Sequence, residues 1–280
     1  RNIDASVTST WNGGAGFAPL GNYYNTNFQG KFNGDGRIIN NLYINRPGQP
    51  YAALFNLSHG TVTNLGLTNV YVYSYRGSGG LAGKSSDGSI ISNSYATGAV
   101  GGDNEFGGLV GFNEFGSIVS NSYSACTVSG AAYFGGLVGQ NVGGIISNSY
   151  STGAVSGTTD VGGLVGINDR NGTISNSYNK GTVNGSGYIE FDVSYWGIGG
   201  LVGQNKGSIT TSYNAGTVSG SATLGIYKGL GGLVGVNVEG SSISNSYNKG
   251  SVSGSSIVGS YNGIGGLVGV NGGAVSYSHS

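Results

Sequence analysis

The sequence predicts an all-β fold, a solenoid of the parallel β-helix type with about three short strands in each coil. Three observations carry this. One motif recurs at a regular spacing, the residues between its copies are too rich in Gly and β-branched side chains for helix, and apolar positions return about nine residues apart, as Ile118 follows Leu109 and Leu137 follows Val128.

The first element of each coil is G-G-L, with its leucine at Leu81, Leu109, Leu137, Leu164, Leu201, Leu233 and Leu267, in steps of 27 to 37 residues. Four residues after the Leu stands Asn113, Asn141, Asn168, Asn205, Asn237 or Asn271, with Ser85 as the exception. The second element is S-N-S-Y or a variant, ending in Tyr95, Tyr123, Tyr150, Tyr178, Tyr213 or Tyr247, with His279 in the last copy. A β-branched residue precedes each aromatic by four: Ile91, Val119, Ile146, Ile174, Ile209, Ile243, Val275. The third element opens on Val100, Val128, Val155, Val183, Val218 or Val252, five residues after the Tyr.

These rows are the expected core. I-S-N-S-Y reads as a period-two strand, which points Ile, Asn and Tyr inward and leaves two outward rows of serines, such as Ser147 with Ser149 and Ser175 with Ser177. Stacked coils at about 4.8 Å pair each backbone group with the coil above or below, and inward Asn amides bond along the stack. Residues 1–76 read as divergent N-terminal coils and 77–280 as seven repeats, the last incomplete, in one continuous solenoid.

Composition excludes several functions. The 280 residues hold 59 Gly and equal numbers, eleven each, of basic and acidic side chains without a basic run, so nucleic acid is not an expected partner. No apolar stretch is long enough for a membrane span. Met is absent even as an initiator, which points to a processed upstream segment. The single Cys126 stands where other repeats have Gly and reads as a small filler; neither a metal site nor a cofactor is expected. "SGGLAGKS" at 78–85 approximates a phosphate-binding loop, but it overlies the G-G-L-V-G position of every other copy and opens no helix.

The strings G-G-L-V-G-x-N and I-x-N-S-Y resemble the GLUG repeat of bacterial IgA-protease-type proteins and large secreted adhesins, and "NIDAS", "GFAPLG" and "FQGKFNGDGRIINNLYI" are similar to the coils that precede such repeats. The resemblance implies a right-handed parallel β-helix that is extracellular, secreted or on a cell surface, from a prokaryotic source. It implies no protease, because His59 and His279 are the only histidines and H-E-x-x-H is absent.

Length variation falls between the V-S-G corner and the next G-G-L. The long versions, "SGYIEFDVSYWGI", "SATLGIYKGL" and "SSIVGSYNGI", place Tyr188, Phe191, Tyr195, Trp196, Tyr227 and Tyr261 on one edge as candidate ligand-binding rings, or as a cluster packed on itself. Asp103, Glu105, Asp160, Glu190 and Asp192 share that edge, either as solvated charges or as the acid and base of a glycoside hydrolase or polysaccharide lyase. No catalytic residue is assigned. The expected function is a structural or adhesive solenoid, an adhesin stalk or a head-to-tail filament subunit, whose partners are neighbouring copies at uncapped ends and a glycan or host-surface protein. A carbohydrate-binding or polysaccharide-active β-helix and an ice-binding hydroxyl array are the alternatives.

Overall fold

The computed structural model describes residues 1–22, 26–186, 196–221, 228–255 and 263–280. It is a parallel β-solenoid of about eight turns. One coil shows the construction: strands Val138–Val142, Ile145–Ser147, Tyr150–Ser151, Val155–Gly157 and Thr159–Gly162, so the three stretches read from sequence are cut into five short segments by corners. Every pairing between these strands and their equivalents is parallel and in register, with Val119, Ile146, Ile174, Ile209, Ile243 and Val275 in one row. The G-L-V-G strands form their own eight-stranded sheet, from Phe55–Ser58 to Val268–Asn271.

The core is the stack of these rows. Leu137, Leu164, Leu201 and Leu233 are fully buried, as are Val155, Val183 and Val218. Each such side chain contributes about 1.5–3 kcal/mol on burial, which offsets the backbone entropy of a Gly-rich chain only because every coil repeats it. Cys126 lies in this interior, and burial pushes its thiol up to about 12, consistent with a filler.

The N-terminal coils differ. Ile3–Asp4 pairs with Ile39–Asn40, and a 3-10 helix over Ser6–Gly14 follows. Ala5 and Thr8 bury their side chains against the next coil, where the Thr8 hydroxyl accepts the Tyr43 N–H at 3.0 Å. Longer strands, Lys31–Asn40, Tyr43–Pro50 and Thr61–Arg76, then build the N-terminal end of the solenoid.

The alternation read across I-S-N-S-Y is corrected. Asn148 takes a left-handed φ of 49° and is exposed, and Asn93, Asn121 and Asn245 do the same. Asn tolerates that conformation where most residues do not. The turn reverses the phase of everything after it, so Ser149 is buried while Tyr150 stands half-buried at the surface. Only the first serine of each pair keeps an outward, half-exposed position, so the expected two-row hydroxyl face is a single row. The inner serine mends the ladder that the corner breaks: Ser149 Oγ donates to the Ser147 carbonyl at 2.7 Å and accepts the Ser122 N–H at 3.2 Å. The same bridge recurs at Ser177 and Ser212.

Inward amides exist, at other positions. Each Nδ2 donates to the next Oδ1 along Asn113, Asn141, Asn168, Asn205, Asn237 and Asn271, over 2.8–2.9 Å. A second column joins Asn179, Asn214 and Asn248 at 3.0 and 2.9 Å. The first ladder stops at Ser85, aligned with Asn113, and both Ser85 Oγ and Asn113 Oδ1 are buried without a hydrogen-bond partner. Ser85→Asn places a donor beside that oxygen. Urea unfolding is expected to show a gain of about 1 kcal/mol, and a loss would show that the site cannot hold the longer side chain.

Candidate functional site

Two surfaces carry chemistry: the edge just before G-G-L and the aromatic face of the side that begins with Tyr. At the edge, the residue four before each Leu is Glu105, Tyr133 and Asp160 in successive coils, with left-handed φ of 68°, 65° and 47°. Glu105 is buried and held by Arg76, whose Nε and Nη2 grip both carboxylate oxygens, the latter at 2.8 Å. Gln140 Nε2 adds a third donor at 3.2 Å. Asp160 is also buried and accepts the Gly197 N–H at 3.0 Å. Burial pushes its carboxyl up to about 7, against the opposing pull of the Gly197 N–H and the Lys206 charge. Tyr133 lies between the two acids, its phenol raised first by burial and then by their charges. A second ion pair, half-buried Lys84 with buried Glu114 at 2.7 Å, sits on the adjoining sheet.

These acids are engaged as supports of the coil corner. Asp103 is exposed, and Glu190 and Asp192 lie outside the described residues. Folding favours protonated Asp160, since its folded pKa exceeds the unfolded value of 3.8. The stability this gives is complete below pH 3.8 and is lost as pH rises to about 7. Asp160→Asn, which keeps an acceptor for Gly197, should therefore stabilise the chain at pH 8 by up to about 4 kcal/mol and have little effect at pH 3.5. Urea titrations at both pH values check this; an equal effect at both contradicts a titrating Asp160.

Among the candidate binding rings, Tyr188, Phe191, Tyr195, Tyr227 and Tyr261 lie outside the described residues. Trp196 is described, and it is only 6% exposed. It opens the strand Trp196–Gly199 directly opposite Lys228 of the next coil, whose Nζ sits 4.2 Å from the ring centroid. Its ring is therefore covered and engaged by a cation rather than displayed.

The tyrosines are displayed instead. From Tyr95 to Tyr247 six rings stack at 4.8–5.0 Å between centroids, with planes within 10° of parallel, and His279 continues the column at 5.5 Å. Lys180 and Lys249 place their ammonium groups 5.0 and 4.9 Å from Tyr178 and Tyr247. Nearer the N-terminus, Tyr71, Tyr73 and Tyr75 are 42%, 39% and 50% exposed, alternating with buried Val70, Val72 and Ser74. The sequence carries that signal in the strict alternation of "NVYVYSYR", outside the long insertions. Among the described residues no group of three or more His, Cys, Asp or Glu is placed to hold a metal ion, and no helix is long and apolar enough to cross a membrane.

Comparison with known proteins agrees with this architecture. The GLUG motif matches residues 130–156, 157–184 and 227–253. Halomucin of Haloquadratum walsbyi is 39% identical over 107 residues, a match that spans 37% of this chain and 1% of that protein's length. A crystal structure of a candidate immunoglobulin A1 protease from Bacteroides ovatus superposes with a TM-score of 0.58 at 24% identity, covering 98% of this chain and 75% of that one. With its motif copies and in-register coils in agreement, and a solved structure of the same fold, the chain is a parallel β-helix that carries GLUG-motif repeats.

Proposed function

We propose that the chain is a rigid structural and adhesive segment of a surface-associated or secreted protein. The observation that supports this is where the polar side chains go. Asn amides, inner serines and tyrosine rings are each engaged with the same residue one coil away, an arrangement that builds a self-supporting rod. About eight turns at roughly 4.8 Å each give a spacer of about 40 Å. The similarity to halomucin, whose name describes a mucin, supports a place on or outside the cell. Surface biotinylation of intact cells and negative-stain microscopy of the purified chain test the proposal. Labelled chain and straight rods are the expected results. Cytoplasmic chain inaccessible to the reagent would overturn it.

Acid and base chemistry on a polysaccharide is the second reading, favoured only by the raised Asp160 carboxyl near Tyr133. Release of reducing ends from neutral glycans, abolished in Asp160→Asn, would support it.

A further inference from the structure

We infer that Tyr71, Tyr73 and Tyr75 form a binding face for an extended, uncharged polysaccharide. The three residues alternate along the strand Thr61–Arg76, so at about 3.3 Å per residue their rings emerge in a line about 13 Å long on one side of the sheet. Such a run of exposed aromatic rings is unusual on a soluble surface, where bulky apolar groups are normally scattered singly.

The surroundings give the line its shape. Below it, Tyr43 stacks flat against Tyr71, with centroids 4.9 Å apart and planes 9° from parallel, which holds the Tyr71 ring in place before any ligand arrives. Above it, the next coil drops to Ala99 and Gly101, directly opposite Tyr71 and Tyr73, and the coil after that to Thr127 and Ser129. The rings thus form a wall beside a floor of small residues, a step one side chain high. Phenol rings present an apolar face and a hydroxyl edge together, which matches a sugar ring with its C–H face and rim of hydroxyls.

Charge selects among partners. Arg76, at the end of the strand, is held by Glu105, and Arg46 on the neighbouring strand donates to the carbonyls of Phe17 and Gly16. Asp103, an exposed acceptor, adds one negative charge beside the wall. Among the described residues the Arg46 charge, hydrogen-bonded only to neutral carbonyls, is offset by Asp103, and Arg76 is neutralised by Glu105. A face with little net charge complements a neutral, hydroxyl-rich chain and offers polyanions such as uronate or sulfated polymers no cationic cluster.

The inference rests on the proposed location outside the cell, where polysaccharide is met, and the two fail separately. Purified chain 1–280 is applied to suspensions of cellulose, chitin and mannan, with alginate and heparin matrices as anionic comparisons. Retention is expected on at least one neutral polymer, unchanged in about 1 M NaCl because no ion pair is involved. The triple variant Tyr71→Ala, Tyr73→Ala, Tyr75→Ala should bind at least about tenfold more weakly with an unchanged circular dichroism spectrum. Replacing all three by Phe, which keeps the rings and the fold, should retain most of the binding. No retention on any neutral polymer, retention that survives loss of the rings, or binding confined to anionic matrices or to a protein partner overturns the inference. Chain that is surface-labelled yet ignores every glycan overturns it while leaving the proposed location intact.

Discussion

Replacing Asn168 by Ala is expected to destabilise the chain by about 2–4 kcal/mol, a large effect for one surface-remote residue with no apolar side chain. Asn168 donates from Nδ2 to Asn205 Oδ1 at 2.9 Å and to the Gly172 carbonyl at 2.9 Å, and accepts Asn141 Nδ2 at 2.8 Å. Truncation removes three bonds in a fully buried column, leaving Asn141 Nδ2 with only the Gly144 carbonyl and Asn205 Oδ1 with only the Gly207 N–H. Asn168→Asp keeps the shape and an acceptor for Asn141, yet loses the donor and adds a buried charge, so it should be at least as costly. Chemical denaturation of the two variants beside Ser85→Asn, which lengthens the column, separates amide pairing from simple loss of volume.

The second large effect is expected at Gly163→Ala. A Cβ there would press into the Gly200 carbonyl of the next coil and the side-chain amide of Asn179, the first member of the second amide column. Neither neighbour can retreat, since one is backbone in the coil interface and the other is buried and hydrogen-bonded on both sides. Loss of about 3 kcal/mol or more, or failure to fold, should follow. Gly48→Ala is the control: nothing lies within 4 Å of its added Cβ, and a change of at most about 0.5 kcal/mol is expected. A similar loss in both variants would mean that intrinsic Gly propensity, not coil approach, sets the composition.

These residues also mark how far the sequence could be read. Period and landmark spacing placed Leu137, Ile146 and Val155 in their rows, because in a stacked fold an invariant interior position must be repeated by every coil. The direction of side chains after Asn148 was not legible. Strand alternation is the ordinary inference for I-S-N-S-Y, and a single left-handed residue reverses it. The second serine then acquires the role of ladder bridge, a long-range contact with Ser122 and Ser177 that no local pattern announces. At the edge, Glu105 and Asp160 were readable as acids on one ridge, but their burial depends on Arg76 and Gly197 in neighbouring coils. Trp196 was covered for the same reason, its partner Lys228 lying 32 residues on in sequence and one coil away in space. Tyr71, Tyr73 and Tyr75 were legible by the simplest rule of all, alternation, in a segment that diverges from the repeat.

Pulsed electron paramagnetic resonance between spin labels in one outward row tests the stacking itself. With Cys126→Ser as background, labels at Thr97 and Lys180 span three coils and labels at Thr97 and Lys249 span five, all two residues past the aligned tyrosines. Mean separations near 14 and 24 Å, rising by about 4.8 Å per coil, are what a solenoid in register produces. Two distances that do not scale with coil number would contradict it, and with it every row of contacts described above.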